Sequence, residues 1–331
     1  MTVCKKEKTM VKTDADLIIL GAGPAGLTAA QYGARANMRV LVIEELTPGG
    51  QALFIGVLEN YPGYMPSTPG AVKSGFELVN NMYQQAQTFG AVFITETVQS
   101  LQKEGDIFTV CLASGKTFRG LAVIVATGAQ HRLLDIPGEE TFSGRGVSYC
   151  ANCDGPFFKE KKIFVIGGGD AACDEAQFLS RLSSQVVLIH RRDRFRSQKA
   201  LAERVLRNPH ITVCFNTRLL EIRGVQKVSS VLLENILTGE HYEEAGDAVF
   251  IYAGAIPQTS VVPDVQKDAS GYIITDQEMA TSIPGIFCAG DVRACPFRQV
   301  VVAAGEGAVA AHSAAAYIDR IKGEEALGAI P

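Results

Sequence analysis

Two glycine turns of one kind, far apart in the chain, limit what it can fold into more than any other feature. Gly21-Ala22-Gly23-Pro24-Ala25-Gly26 follows the apolar run 16–20 (DLIIL), opens a helix-like stretch over 24–37, and leads to 39–43 (RVLVI). Gly167-Gly168-Gly169-Asp170-Ala171-Ala172 follows 162–166 (KIFVI), opens a helix-like stretch over 170–183, and leads to 185–189 (QVVLI). Strand, tight turn, helix, strand is a βαβ unit in which each glycine has a task. The first permits the turn, the second lets backbone approach a pyrophosphate, and the third lets helix pack on strand. One such pattern is weak evidence. A repeat of the whole unit predicts a duplicated dinucleotide-binding fold.

The two copies differ where each would read a ribose. At matched offsets from the leading glycine stand Glu44 in the first copy and His190 in the second, the latter followed by Arg191, Arg192 and Arg196. A carboxylate accepts from a free 2′-hydroxyl and repels a 2′-phosphate, whereas guanidinium groups hold phosphate through charge-assisted hydrogen bonds. The first site is therefore expected to take a nucleotide such as FAD, and the second NADPH.

A second echo orders the domains. Residues 123–129 (VIVATGA) resemble 249–255 (VFIYAGA), each an apolar strand closing on a glycine turn. Another strand with an acid at its end, 283–291 (IPGIFCAGD), comes after the second echo, and a small-residue helical stretch over 300–318 comes last. This order predicts an α/β protein of two Rossmann-like domains, the second inserted into the first. The discontinuous domain covers 1–131 and 257–331, and the continuous one 132–256. Pro137, Gly138, Gly254 and Pro257 near the crossings suit a two-stranded hinge. Between the first unit and residue 95, Gly49-Gly50-Gln51, the run 59–63 (ENYPG) and the Pro/Ser/Gly-rich loop 64–75 are placed to wrap a cofactor. A helix is expected over 76–89.

Just ahead of the second glycine turn stands Cys150-Ala151-Asn152-Cys153-Asp154-Gly155. This spacing closes a small disulfide ring or supplies half of a zinc site. Zinc would need two further ligands, and the histidines at 131, 190, 210, 241 and 312 are scattered, with no second CxxC. The redox reading fits better, because a thiol pair beside nucleotide sites is where electrons are delivered. Asp154 can take up and return the proton that each thiol exchanges. Of the other cysteines, Cys4, Cys111, Cys173, Cys214 and Cys288 read as isolated small hydrophobes, while Cys295 sits beside an expected cofactor segment.

Composition excludes several classes. With 47% hydrophobic and 20% charged residues over 331 positions, the chain can bury two cores. A net charge of −4 argues against nucleic acid. No apolar run reaches the length of a membrane span, and the lysine-bearing start (Lys5, Lys6, Lys8, Lys12) lacks the apolar core of a signal peptide.

The ordered set GAGPAG, GGQ, ENYPG, ATGA, GRGVSYCANCDGPFF, VIGGGDAA, HRRDRFR, SIPGIFCAGD and RQVVVAAGEGAVAA resembles the low-molecular-weight thioredoxin reductases, class II pyridine nucleotide-disulfide oxidoreductases. The resemblance runs from about residue 16 to about 320. It implies a cytoplasmic homodimer that moves electrons from NADPH through FAD to a Cys150–Cys153 disulfide and on to thioredoxin or a thioredoxin-like protein. Cys153 would be the thiol nearer the flavin, Cys150 its partner and Asp154 the acid/base.

The resemblance places FAD on Gly21, Gly23, Pro24, Ala25 and Gly26, and on Glu44, Glu45, Gly50 and Gln51. It adds Asn60, Val98, Thr127, Gly128, Asp291, Arg298, Gln299 and Val300. NADPH falls on Gly168, Gly169, Asp170, Ala171, His190, Arg191, Arg192 and Arg196, and the partner protein on Gly144, Arg145 and Phe157. Three departures stand out: a long 64–75 loop, Pro156 where an aromatic is frequent, and Cys295. Rival readings are a dithiol oxidase of the same fold, a reductase of another thioredoxin-like protein or a small disulfide, a peroxidase-reducing flavoprotein with an added N-terminal domain, and a flavin-bound redox sensor.

Overall fold

The structure is a computed structural model that describes residues 13–55, 58, 60–65, 73–262 and 264–323, the Cys153 side chain excepted. Cys4, Glu59 and positions 66–72 of the long loop lie outside the described residues. The chain divides into two compact units, 1–129 with 257–331, and 130–256. Its helices, in chain order, are α1 (Pro24–Arg35), α2 (Gly75–Thr88), α3 (Ala151–Asp154), α4 (Asp170–Leu179), α5 (Lys199–Arg207) and α6 (Val300–Lys322).

The first unit is built on a five-stranded sheet in the order Ile286–Cys288, Ala122–Val125, Leu17–Leu20, Val40–Glu44, Val92–Thr95, all parallel. Leu17–Leu20 and Ala122–Val125 are buried at every position, as central parallel strands covered on both faces must be. A core of α1, α2 and α6 side chains covers one face. The antiparallel strands Val98–Glu104, Ile107–Leu112 and Thr117–Gly120 supply Phe108, Val110 and Leu112 to the other.

The second unit repeats this plan. Its parallel sheet runs Ile211–Cys214, Val186–Ile189, Ile163–Gly167, Ala248–Tyr252, Val147–Ser148. Again a three-stranded antiparallel layer, Thr217–Gly224, Val228–Asn235 and His241–Ala245, precedes the strand that closes the sheet. In both units the glycine turn follows the middle strand, with the helix-linked strand on one side and the closing strand on the other. The crossing segments Ala129–His131 and Ala255–Pro257 form a two-stranded sheet.

α1 stops at Arg35, two residues short of expectation, and α2 lies one residue earlier than expected; two further helices differ more. α4 stops at Leu179 rather than continuing to residue 183, because the chain tightens into short-range bonds from Arg181 N–H to Phe178 and from Leu182 N–H to Leu179. Ser183 then donates to the Lys161 carbonyl at 2.5 Å. α6 runs four residues past 318 and ends at Gly323, whose left-handed backbone (φ 73) closes it.

α6 is long and apolar enough, by length and composition, to cross a membrane. It nevertheless packs against α1, where small side chains permit close approach: a Cβ on Gly307 would stand 2.1 Å from the Ala25 carbonyl oxygen. Its buried Glu306 accepts the Gly290 N–H at 2.8 Å and pairs with Arg293.

Candidate redox and dinucleotide sites

In the first unit the glycine turn is held by steric necessity. Gly21 has φ +98, and a Cβ there would lie 2.4 Å from the Ala126 carbonyl oxygen. A Cβ on Gly26 would lie 1.9 Å from the Gly21 carbonyl oxygen, so only glycine lets α1 pack on the strand. α1 begins at Gly23 with no side-chain cap, Pro24 in its first turn and no acid there. Its leading N–H groups are thus open to an anion.

The other first-unit residues gather at the carboxyl edge of the sheet. Glu44, last in its strand, accepts the Ala22 N–H at 2.7 Å and the Leu46 N–H at 3.2 Å, so the carboxylate also braces the turn. Gly50 sits against it, its would-be Cβ 3.1 Å from Gly23 Cα. Gln51 donates to the Ala129 carbonyl. Thr127 donates to the Gln258 carbonyl at 2.6 Å, and Gly128 faces open space.

Asn60 donates to Gln299 Oε1 at 2.8 Å across a wide sequence gap, and Gln299 is the N-cap residue before Val300. Burial pushes the Asp291 carboxyl up, opposed by Arg298, whose guanidinium lies 3.9 Å from the Tyr272 ring centroid. Val98 packs against the core below, and Glu45 accepts from Thr97 at 3.3 Å.

In the second unit the turn is built from the same steric logic. A Cβ on Gly168 would lie 2.3 Å from His190 Nδ1, and Gly169, the N-cap residue of α4, faces open space. His190 lies between Gly168 and the rings of Phe195 and Phe215, and is 5% exposed. Burial, assisted by Arg196, Arg192 and Arg191, pulls its pKa down. It therefore enters this site as a neutral ring, and its Nε2 is buried without a hydrogen-bond partner. Arg191, Arg192 and Arg196 are all exposed, and the Arg196 N–H donates to the Gly168 carbonyl at 2.7 Å. Ala171 follows Asp170 in the first turn of α4.

The same unit carries the thiol segment. Cys150 is disulfide-bonded and directly precedes α3, whose first residue, Ala151, donates its N–H to the Tyr252 hydroxyl at 3.0 Å. Ser148 accepts the Cys150 N–H at 3.1 Å and donates to the Cys150 carbonyl at 3.3 Å. The Asp154 N–H donates to the same carbonyl at 3.1 Å, closing the turn. Phe157 is 80% exposed on the 3-10 turn Gly155–Phe158, and Gly144 and Arg145 are exposed before it. Among the described residues, no group of three or more His, Cys, Asp or Glu side chains is placed to hold a metal.

A family model for pyridine nucleotide-disulphide oxidoreductases matches residues 15–307. The chain belongs to this family. The oxidoreductase is 57% identical over 312 residues to a thioredoxin reductase of Treponema pallidum, covering 94% of this chain and 100% of that one. It is 43% identical to a thioredoxin reductase of Listeria innocua, covering 95% and 96%. Among solved structures, Lactococcus lactis thioredoxin reductase in its FR conformation superposes with a TM-score of 0.88 at 41% identity, covering 93% of this chain and 100% of that one. The T. acidophilum thioredoxin reductase gives 0.86 at 34%, covering 94% and 100%.

The geometry fits the two dinucleotides that members of this family use. The uncapped start of α1 and the space at Gly23 and Gly128 suit one. The space at Gly169, the orphaned His190 Nε2 and three exposed arginines suit the other. Three residues of this oxidoreductase escaped the sequence reading. Glu306 had a signal, as the lone charge in a small-residue run. Tyr252 and Glu139 had none, since each acts across a long gap in sequence.

Proposed function

We propose that the oxidoreductase is an NADPH-dependent thioredoxin-disulfide reductase carrying FAD in its first unit and NADPH in its second. The observation that carries this reading is the disulfide at Cys150 in the same unit as the arginine-lined glycine turn. A dithiol oxidase has no use for those arginines. Thioredoxin as the disulfide substrate rests on the near full-length similarity to the Treponema pallidum enzyme.

FAD, when bound, supplies the two-electron relay between NADPH hydride and the disulfide. The chain's own residues do the rest. The N–H groups at the start of α1 hold pyrophosphate, and Glu44 receives the ribose hydroxyl. Arg191, Arg192 and Arg196 hold the 2′-phosphate. Cys153 is the proposed partner of Cys150; two electrons and two protons open the pair to a dithiol, with Asp154 taking each thiol proton in turn and returning it to a departing thioredoxin sulfur.

The Cys150 thiolate then attacks one sulfur of the thioredoxin disulfide, releasing the other as a thiolate. Attack of Cys153 on Cys150 Sγ breaks the mixed disulfide, frees reduced thioredoxin and restores the pair. The disulfide and the NADPH residues belong to one unit, so rotation about the two crossings is proposed to present them in turn. Phe157, with Gly144 and Arg145, is proposed to grip thioredoxin.

The enzyme is further proposed to be a cytoplasmic homodimer. Cys111, Cys173, Cys214, Cys288 and Cys295 are unpaired thiols, as a reducing compartment leaves them. Phe54, Phe76 and Phe89 are exposed on the first unit, the kind of apolar surface that a subunit contact covers. The net charge gives no footprint for nucleic acid.

The deciding experiment is NADPH-dependent reduction of thioredoxin by the wild type and by Cys153→Ser. The variant is expected to stay yellow and bind NADPH yet reduce no thioredoxin. Reduction at the wild-type rate by the variant would overturn the assignment.

A further inference from the structure

An acid stands where this site least needs one. Asp170 is the first residue of α4, beside the open Gly169 N-cap position and within the turn assigned to NADPH. By charge alone it repels every phosphate that approaches. The structure shows what its carboxylate holds instead. Asp170 Oδ1 accepts the Gln198 backbone N–H at 2.8 Å, and Oδ2 accepts from Gln198 Nε2 at 2.9 Å.

Gln198 is the N-cap residue of α5, and its side chain makes no capping bond to its own helix. The carboxylate thus stands at the N-termini of α4 and α5 together, where both helix dipoles favour negative charge. The two residues before Gln198 reach the same place. The Arg196 N–H donates to the Gly168 carbonyl at 2.7 Å, and Ser197 Oγ receives the Cys173 thiol at 3.3 Å. The exposed loop that carries Arg191, Arg192 and Arg196 is therefore stitched back, residue by residue, onto the glycine turn.

We propose that Asp170 and Gln198 are positioning residues that hold the arginine loop in its 2′-phosphate-binding shape, and so set the preference for NADPH over NADH. Their role rests on the NADPH assignment made above. Asp170 acts through the loop and is not a phosphate ligand. An unclipped loop would have to order its arginines on binding, and that entropic cost falls on the phosphorylated ligand alone.

The sign of one effect decides the matter. If Asp170 acted only as a charge, Asp170→Ala would tighten binding of a 2′-phosphate. If it is a clip, the same change weakens it. The probes are adenosine 2′,5′-bisphosphate, which carries the 2′-phosphate, and 5′-AMP, which lacks it. Both are titrated calorimetrically into the full-length FAD-loaded protein, with folding of each variant followed by circular dichroism.

Asp170→Ala is expected to weaken the bisphosphate roughly tenfold, which is about 1.4 kcal/mol, and to change 5′-AMP less than about twofold. Gln198→Ala keeps its backbone donor and should lose about threefold. The double variant should lose no more than Asp170→Ala, since one clip is broken once. Tighter or unchanged bisphosphate binding by Asp170→Ala overturns the proposal. Should that variant fail to fold, Gln198→Ala decides alone, and an unchanged ratio of the two affinities overturns it.

Joint replacement of Arg191, Arg192 and Arg196 by Ala tests the underlying assignment separately. If that change leaves the bisphosphate preference intact, the site is not a 2′-phosphate site. If it abolishes the preference while the Asp170 and Gln198 changes do not reduce it, the clip alone fails.

Discussion

The hydroxyl of Tyr252 accepts the backbone N–H of Ala151 at 3.0 Å, tying the last residue of a sheet strand to the first turn of the helix that follows Cys150. Ala151 is fully buried, so its N–H has no access to water. Burial, reinforced by Glu175 and Asp154, pushes the Tyr252 phenol up, so it stays a neutral hydroxyl through the working range. Tyr252→Phe leaves that N–H orphaned and is expected to cost about 1–3 kcal/mol. The urea midpoint of the oxidised protein measures the loss. An unchanged midpoint would show that the bond does not support the redox helix.

Glu175 makes stability depend on pH in a defined window. Its desolvation, with Asp174 beside it, pushes the carboxyl from 4.5 up to about 7. The folded chain therefore holds this proton more tightly than the unfolded one. The contribution is complete below about pH 4.5 and is lost as pH rises through about 7. Its full size is at most about 3 kcal/mol. Glu175→Gln cannot titrate, so wild type minus variant should fall steadily across that window. Parallel stability curves from pH 4.5 to 7.5 would contradict the assignment.

Tyr149, the neighbour of Cys150, donates its hydroxyl to Glu139 at 2.7 Å and stacks on His131 at 6.0 Å between ring centroids. Glu139 is 3% exposed and also accepts the N–H groups of Leu134 and Asp135 at 2.9 and 2.8 Å. One buried carboxylate thus gathers the segment leaving the first crossing and the residue before the disulfide. Tyr149→Phe removes one donor from it and is expected to destabilise the protein by about 1.5–3 kcal/mol. Thermal melting with and without the change reads this directly. A variant melting with the wild type would show the hydrogen bond to be dispensable.

Glu44 and Gly26 should separate binding from folding in the first unit. Glu44→Ala removes the acceptor of the Ala22 N–H and is expected to yield folded protein that retains flavin poorly. Gly26→Ala forces a contact of 1.9 Å with the Gly21 carbonyl oxygen and should destabilise the unit itself. Flavin absorbance per protein, set beside far-ultraviolet circular dichroism, distinguishes the two. Full flavin content in Gly26→Ala would mean that α1 can shift without cost.

The glycine turns, their flanking strands and the carboxylate-versus-arginine contrast were legible because each depends on residues close in sequence. Gly21 is required by its own backbone angle, and central strands such as Leu17–Leu20 declare burial on both faces by being apolar throughout. His190 was legible by its offset from the second glycine turn, but its burial against Gly168 was not, because that contact forms only when strand and turn pack. The ends of α4 and α6 also escaped. Short-range turn bonds after Phe178 and a left-handed Gly323 settle them, not the apolar period.

The order of residues alone determined a doubled dinucleotide fold, the thiol segment within its second copy and the unlike residues at matched offsets after the two glycine turns, because periodicity and spacing encode local geometry. Only tertiary structure decided that Asp170 clamps Gln198, that Tyr252 supports Ala151 and that Glu306 meets Arg293. Those partners lie 13 to 101 positions apart along the chain, with no periodic pattern linking them. A hydrogen bond between them exists only once packing has brought donor and acceptor within about 3 Å.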